Sequence, residues 1–205
     1  MTRASSIHHV GAPGLDGIAE RSARRDRNIV VVIFHPETLS GDGGATVCAA
    51  MLSAFSSYFY QGSGFTHQPP RFVFTGVNKD PGHEKIESLI DTFCAQHPST
   101  RCVMALPREA YISLLQEAKL VVGNSSSIPI ECPWIGIPSV LVGSRQNGRE
   151  LADSVHTPDG NIESAIARAI SWEPAPMGYS SPIYRGGGVG LKIARIVREF
   201  VGERV

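Results

Sequence analysis

Residues 123–127, Gly-Asn-Ser-Ser-Ser, stand between a short apolar run (Leu120, Val121, Val122) and a segment with Pro129 near its start. That order reads as strand, polar turn and helix. Proline suits a first helical turn, where the amide it lacks would have no partner anyway, and Ser126 or Ser127 can cap the exposed amides. Free amides together with the positive end of the helix dipole make a site for an anion such as a phosphate. Glu131 follows inside an otherwise apolar helix, beside Cys132, Pro133, Trp134 and Ile135. A carboxylate there needs hydrogen-bond donors. Either ligand hydroxyls supply them, or the helix is simply capped and Glu131 meets solvent or a backbone amide.

The elements that must position these groups can be read in order. Residues 29–34 form an apolar, β-branched run of the kind found in a strand buried on both faces, and His35 and Pro36 end it. Asp42 can cap a helix reaching about residue 60, with Val47, Met51, Ala54, Phe55 and Tyr58 at helical spacing. Residues 62–70 read as a loop and 71–75 as a second strand. Asp80 and Pro81 start a helix carrying Ile86, Leu89, Ile90 and Phe93 on one face. A third strand spans 101–106, and Pro107 opens a helix with Tyr111, Leu114, Leu115 and Ala118 inward. The serine turn joins strand four to a helix, and Pro138 opens strand five at 139–142. A polar loop with two arginines (143–153), a short strand near 154–157 and helices at 162–171 and 189–200 complete the chain. At the start, 5–18 reads as a strand-like piece and a Gly-Pro-Gly turn, with Asp16 placed to cap a brief helix; 21–27 is a basic, solvated linker.

Alternating strands and helices predict an α/β fold: a doubly wound parallel sheet of about six strands with right-handed crossovers. Ligands bind such sheets outside the carboxyl ends of the strands. His35 after strand one, the serine turn after strand four and Arg145 after strand five all fall there, which points to an anionic, nucleotide-like ligand. Each also has a plain structural reading: a strand-end histidine, a capped turn, a surface ion pair. Asn78 and Asp80 share that edge and read as turn and cap chemistry.

Totals set further bounds. The 205 residues suffice for one well-packed α/β domain, and 19 basic against 19 acidic side chains give no net charge to draw the chain to nucleic acid or an anionic membrane. No apolar run approaches bilayer-spanning length, and the first residues lack a signal peptide's hydrophobic core. Cys48, Cys94, Cys102 and Cys132 are widely spaced and the histidines form no ligand pattern, so neither a disulfide frame nor a metal site is expected. A cytosolic, cytoplasmic protein without metal or other cofactor is the expectation.

The segments HHVGAPGLDGI, HPET, the serine turn with its glutamate, and GSRQNGRE resemble, in that order, the C-terminal half of UDP-N-acetylglucosamine 2-epimerases, closest to the hydrolysing kind. The resemblance implies one Rossmann-like, UDP-binding half of a glycosyltransferase-B-like architecture. Residues 1–28 would be the tail or linker from an N-terminal domain, 29–185 the UDP-binding domain and 186–205 a C-terminal helix crossing back. It implies that Ser125, within the turn Asn124, Ser125, Ser126, Ser127, contacts the diphosphate and that Glu131 holds the ribose hydroxyls. Tyr111 would lie beside the uracil, Arg145 at the diphosphate, and His35 would face the sugar and its leaving group as the catalytic residue. Partners implied are UDP and UDP-N-acetylglucosamine, with an N-terminal-domain partner or a second copy. Ile128-Pro129 departs from the family's usual glycine and aliphatic residue, Ser144 from an acidic residue frequent in bacterial members, and the 62–70 loop looks longer. The family's opposing acid/base carboxylates sit on the N-terminal domain. Two other readings stand beside the epimerase: the UDP-sugar-binding half of a two-subunit glycosyltransferase, and a non-catalytic UDP-sugar-binding protein.

Overall fold

A computed structural model describes residues 7–18, 28–61, 69–172 and 184–202. The basic run and most of the expected 62–70 loop lie outside the described residues. Six strands, β1 (Ile29–Ile33), β2 (Arg71–Thr75), β3 (Arg101–Val103), β4 (Leu120–Gly123), β5 (Ser139–Leu141) and β6 (Val155–His156), form one sheet in the order β3-β2-β1-β4-β5-β6. Every pairing is parallel. The chain thus winds outward from β1 in one direction and, after β3, crosses to β4 and winds the other way. The switch point between β1 and β4 is where a doubly wound sheet opens a crevice.

Side chains alternate across the strands, and each face is buried by its own helices. Val30, Val32, Phe34, Phe72, Phe74, Leu120, Val122 and Val140 meet α1 (Ala45–Ser56), α2 (His83–Gln96) and α5 (Ile162–Ser171). Here Phe55 packs on Phe72 with ring centroids 5.0 Å apart, and Phe93 meets Phe72 edge-on at 5.5 Å. Val31, Ile33, Val73, Val121, Leu141 and Val155 face α3 (Arg108–Glu117) and α4 (Glu131–Ile135). Burial of both faces explains the continuous apolar runs of β1 and β4.

Several expectations shift. The helix after β1 follows Asp42 as anticipated, for its carboxylate accepts from the Gly44 and Thr46 amides at 2.9 and 2.8 Å, but it widens to a π-helical turn over Ser57–Gln61. Asp80 does not cap α2 with its side chain; Pro81 and Gly82, the latter at φ 95°, turn the chain so that the helix begins at His83. The third strand stops at Val103 rather than 106, because its partner β2 ends at Thr75, paired with Val103. The expected helix after the serine turn starts only at Glu131, with residues 126–130 in successive tight turns.

Asp16 caps a helix, though not the nearby one. Its carboxylate accepts from the backbone amides of Gly187, Val189 and Gly190 at 3.1, 3.0 and 2.8 Å, at the start of the C-terminal helix α6 (Val189–Val201). Those bonds, Gly190's foremost, hold its carboxyl below the usual carboxylate range. Ala12 N–H donates to the Arg185 carbonyl at 3.0 Å, and a Cβ at Gly11 would stand 2.3 Å from that same oxygen. The reason is sequence order: Gly187 and Gly188 leave the α6 amides bare, and the Pro13–Leu15 3-10 turn delivers Asp16 to them.

Candidate functional site

The site is built where β1 and β4 end side by side. Gly123 is paired with Ile33, at φ 149°, and a Cβ there would lie 1.9 Å from the Ile33 carbonyl oxygen; only glycine allows the approach. Asn124 N–H then donates to that carbonyl at 3.0 Å. The Asn124 side chain, expected at the ligand, is fully buried and engaged elsewhere. Its Oδ1 accepts from His35 N–H at 2.8 Å, and its Nδ2 donates to the His35 carbonyl at 2.8 Å and to Glu37 Oε1 at 3.4 Å. Asn124 therefore braces the loop carrying His35 and has no side-chain face left for a ligand.

His35 lies two residues past the end of β1. The Asn78 backbone amide donates to its Nδ1 at 3.3 Å, which leaves the ring proton on Nε2 as a donor. Burial, and after it the positive charge of Arg145, lower its pKa to about 4, while Asp80 acts the other way. His35 is thus a neutral donor, and Arg145, exposed on the loop after β5, stands near enough to repel an added proton.

Within the serine turn, the capping role falls to Ser125. Its Oγ accepts from Ser127 N–H at 3.3 Å, whereas neither the Ser126 nor the Ser127 side chain caps α4. Ser127 Oγ accepts from Tyr111 Oη at 2.6 Å, and its carbonyl accepts from both Glu131 and Cys132 amides at 2.9 Å. Burial pushes the Tyr111 hydroxyl above its ordinary pKa, against the opposing bond to Ser127. Ser126 is half-buried.

Glu131 opens α4 instead of lying inside it. Burial raises its pKa, opposed by its own backbone amide, Arg108, the Ser127 hydroxyl and Arg149. One carboxylate oxygen, Oε2, is buried and has no hydrogen-bond partner among the described residues. A group that accepts donors and lacks them is suited to ligand hydroxyls.

His35, Tyr111 and Ser125 line one cavity of about 180 Å³, closed on the other side by Gly76, Met104 and Leu106. Glu131 and Arg145 do not line it and stand on neighbouring turns. Two buried polar residues, inside the HPET and GSRQNGRE segments, carry duties that the sequence reading does not assign. Glu37, 5 % exposed, accepts from Ser144 N–H and Ser144 Oγ, both at 2.9 Å, and so ties the His35 loop to the Arg145 loop. Gln146 Nε2 donates to the Asn124 carbonyl at 3.0 Å, and its Oε1 has no partner among the described residues. Their presence in those segments is the signal, but short-range patterns do not connect a carboxylate two residues past a strand-end histidine to residue 144. Among the described residues no cluster of side chains is arranged to hold a metal ion.

The family described as UDP-N-acetylglucosamine 2-epimerase matches residues 2–198. Polysialic acid biosynthesis protein P7 of Escherichia coli is 30% identical over 181 residues, 85% of this chain and 43% of that protein. UDP-N,N'-diacetylbacillosamine 2-epimerase (hydrolyzing) of Legionella pneumophila is 29% identical over 173 residues, covering 78% of this chain and 43% of the relative. The chain thus spans less than half the length of these relatives. Among solved structures, the S. aureus MnaA–UDP co-structure superposes with a TM-score of 0.67 at 13% identity, over 98% of this chain and 55% of that one. The parallel sheet, the crevice at its switch point and the match over nearly all its residues show that the chain belongs to the UDP-N-acetylglucosamine 2-epimerase family.

Proposed function

We propose that this chain is the UDP-binding half of a hydrolysing UDP-N-acetylglucosamine 2-epimerase, acting in the cytoplasm. The observation that carries the reading is the cavity uniting His35, Tyr111 and Ser125 at the switch point. The UDP present in the S. aureus structure and the hydrolysing activity named for the Legionella relative support it. In this reading Tyr111 flanks the uracil, Glu131 takes the ribose hydroxyls on its free oxygen, and Ser125 with the amides of its turn meets the diphosphate.

The chemistry follows from the substrate. The sugar's C2 proton has no adjacent carbonyl to acidify it, so its removal must accompany departure of UDP from C1. Arg145, the turn amides and the Nε2–H of His35 stabilise charge as it develops on the diphosphate. The elimination gives a 2-acetamidoglucal, and water adds to yield N-acetylmannosamine. Removing a hydrogen from one face and returning one to the other requires groups on both sides of the ring. This chain approaches from one side only, so an N-terminal half supplies the opposing carboxylates and covers the exposed apolar side chains of α6, Leu191, Phe200 and Val201.

Calorimetry with UDP tests the binding site. Ser125→Ala should weaken UDP by about 1–3 kcal/mol, the usual penalty for a lost hydrogen bond to a charged group, and Glu131→Ala should abolish any preference for ribose over deoxyribose. Both variants binding like the parent would refute the assignment. Proton NMR of UDP-N-acetylglucosamine in D₂O tests the division of labour. Deuterium at C2 should arise only when an N-terminal half is added; deuterium incorporated by the chain alone would refute it.

A further inference from the structure

A pair of thiols lies outside this site. The geometry points to Cys94 and Cys102 as a dithiol that closes to an intramolecular disulfide under oxidising conditions, fastening α2 to β3 beside the nucleotide cavity. No spacing motif joins them, yet the fold sets their sulfur atoms 3.2 Å apart, one near the end of α2 and the other in the middle of β3. A disulfide needs about 2.05 Å between sulfurs, a gap that small side-chain rotations close. Cys102 is exposed and Cys94 partly so, whereas Cys48 and Cys132 are fully buried.

The two thiols differ in reactivity. Burial first, then the contact with Cys102, pushes the Cys94 thiol up to about 12. The exposed Cys102 therefore meets the oxidant first. With a disulfide oxidant such as oxidised glutathione, the Cys102 thiolate attacks one glutathione sulfur, forming a mixed disulfide and releasing one glutathione thiol that carries off the Cys102 proton. Cys94 then attacks the Cys102 sulfur, passes its proton to the second departing glutathione, and closes the bond. Two electrons move from the cysteine pair to the oxidant. Little Cys94 thiolate exists at neutral pH, but the attack is intramolecular and already in register.

The consequence reaches the site through β3. That strand is three residues long and, among the described residues, stands at the sheet edge with β2 as its one partner. Its last residue, Val103, and its continuation through Leu106 form the cavity wall opposite His35 and Ser125. Closing the bond ties this wall to α2 covalently. Because intracellular disulfides of this kind are transient, the pair fits a reversible modification of the wall.

A tryptic map of the full chain tests this, because Arg101 immediately precedes Cys102. Trypsin separates residues 86–101, holding Cys94, from residues 102–108, holding Cys102. After incubation with oxidised glutathione and acid quench, the unreduced digest should contain these two peptides joined, with Cys48 and Cys132 free and the linkage reversed by dithiothreitol. Linkage should form about tenfold or more faster in the folded chain than in concentrated urea, and amide exchange at 103–106 should slow in the linked form. Cys94→Ser should leave Cys102 carrying glutathione with no joined peptide. Glutathione stably on Cys102 of the parent with Cys94 free, equal rates in urea, or unchanged exchange at 103–106 would overturn the proposal.

Discussion

His35 is held neutral by what surrounds it, and that fixes its response to pH. Its folded pKa of about 4 lies below the ordinary 6.5, with burial the larger cause and Arg145 the second. As pH falls, the unfolded chain takes up this proton first. The stability tied to the neutral ring is therefore complete above about 6.5, declines between there and about 4, and loses nothing further below. An imidazole NMR titration should show His35 midway near pH 4, and saturating UDP should move it upward by placing negative charge beside the ring. A midpoint near 6.5 without ligand would contradict the geometry. Glu37 invites a second test. A methyl group at Gly143 would lie 2.0 Å from Glu37 Oε1, and Gly143 sits at φ 72°. Gly143→Ala should cost about 1–3 kcal/mol in urea unfolding and weaken UDP, since the loops bearing His35 and Arg145 lose their tie.

Among the elements, the passage from β3 to α3 carries the site. Gly76 follows β2, and a Cβ there would stand 2.1 Å from the Met104 carbonyl oxygen, backbone against side chain with nothing flexible to yield. Gly76→Ala should destabilise the chain by about 1–3 kcal/mol and lower UDP affinity by moving the cavity wall, as measured by thermal unfolding and calorimetry; a variant as stable as the parent would mean that the wall yields freely. These elements also show what a sequence makes legible. Strands β1 and β4 were plain because burial on both faces leaves unbroken apolar runs, and α5 was plain because its apolar stripe is bounded by Asn161, whose Oδ1 caps the Ser164 amide at 2.9 Å. The end of β3 was not, because it depends on where β2 stops. Nor was the role of Ser125 as the capping side chain, since three serines in a row offer equal local chemistry and the turn's tertiary position chooses among them. Asn124 is legible for its place in the turn, but its bracing of the His35 loop is not, because those partners lie 89 residues away.

At the scale of the whole molecule, the two ends of the described fold are joined by one carboxylate. The Asp16 pKa is depressed by its bonds to the α6 amides. The contribution of those bonds is therefore present above the ordinary carboxylate pKa and disappears as pH falls through the lower, folded value. Asp16→Asn keeps the shape and removes the charge, and it should speed amide exchange at residues 187–190 while leaving the amides of β1 and β4 unchanged. Exchange that stayed the same in α6 would show that the helix is held by other contacts.

That join also decides how the fold would bear a mechanical load. Tension applied between residue 11 and the end of α6 meets the Ala12–Arg185 bond and the three Asp16 bonds before it reaches any strand. Those few contacts sit in parallel at one end of the molecule, while the sheet's ladders lie behind them. Stretched in this direction, the chain would give way in two stages. A small early release would free α6, and a larger force would then be needed to draw the buried Leu15 and Ile18 from the core and to open the six strands. The fold thus has a built-in yield point at the place where a preceding segment and its last helix meet.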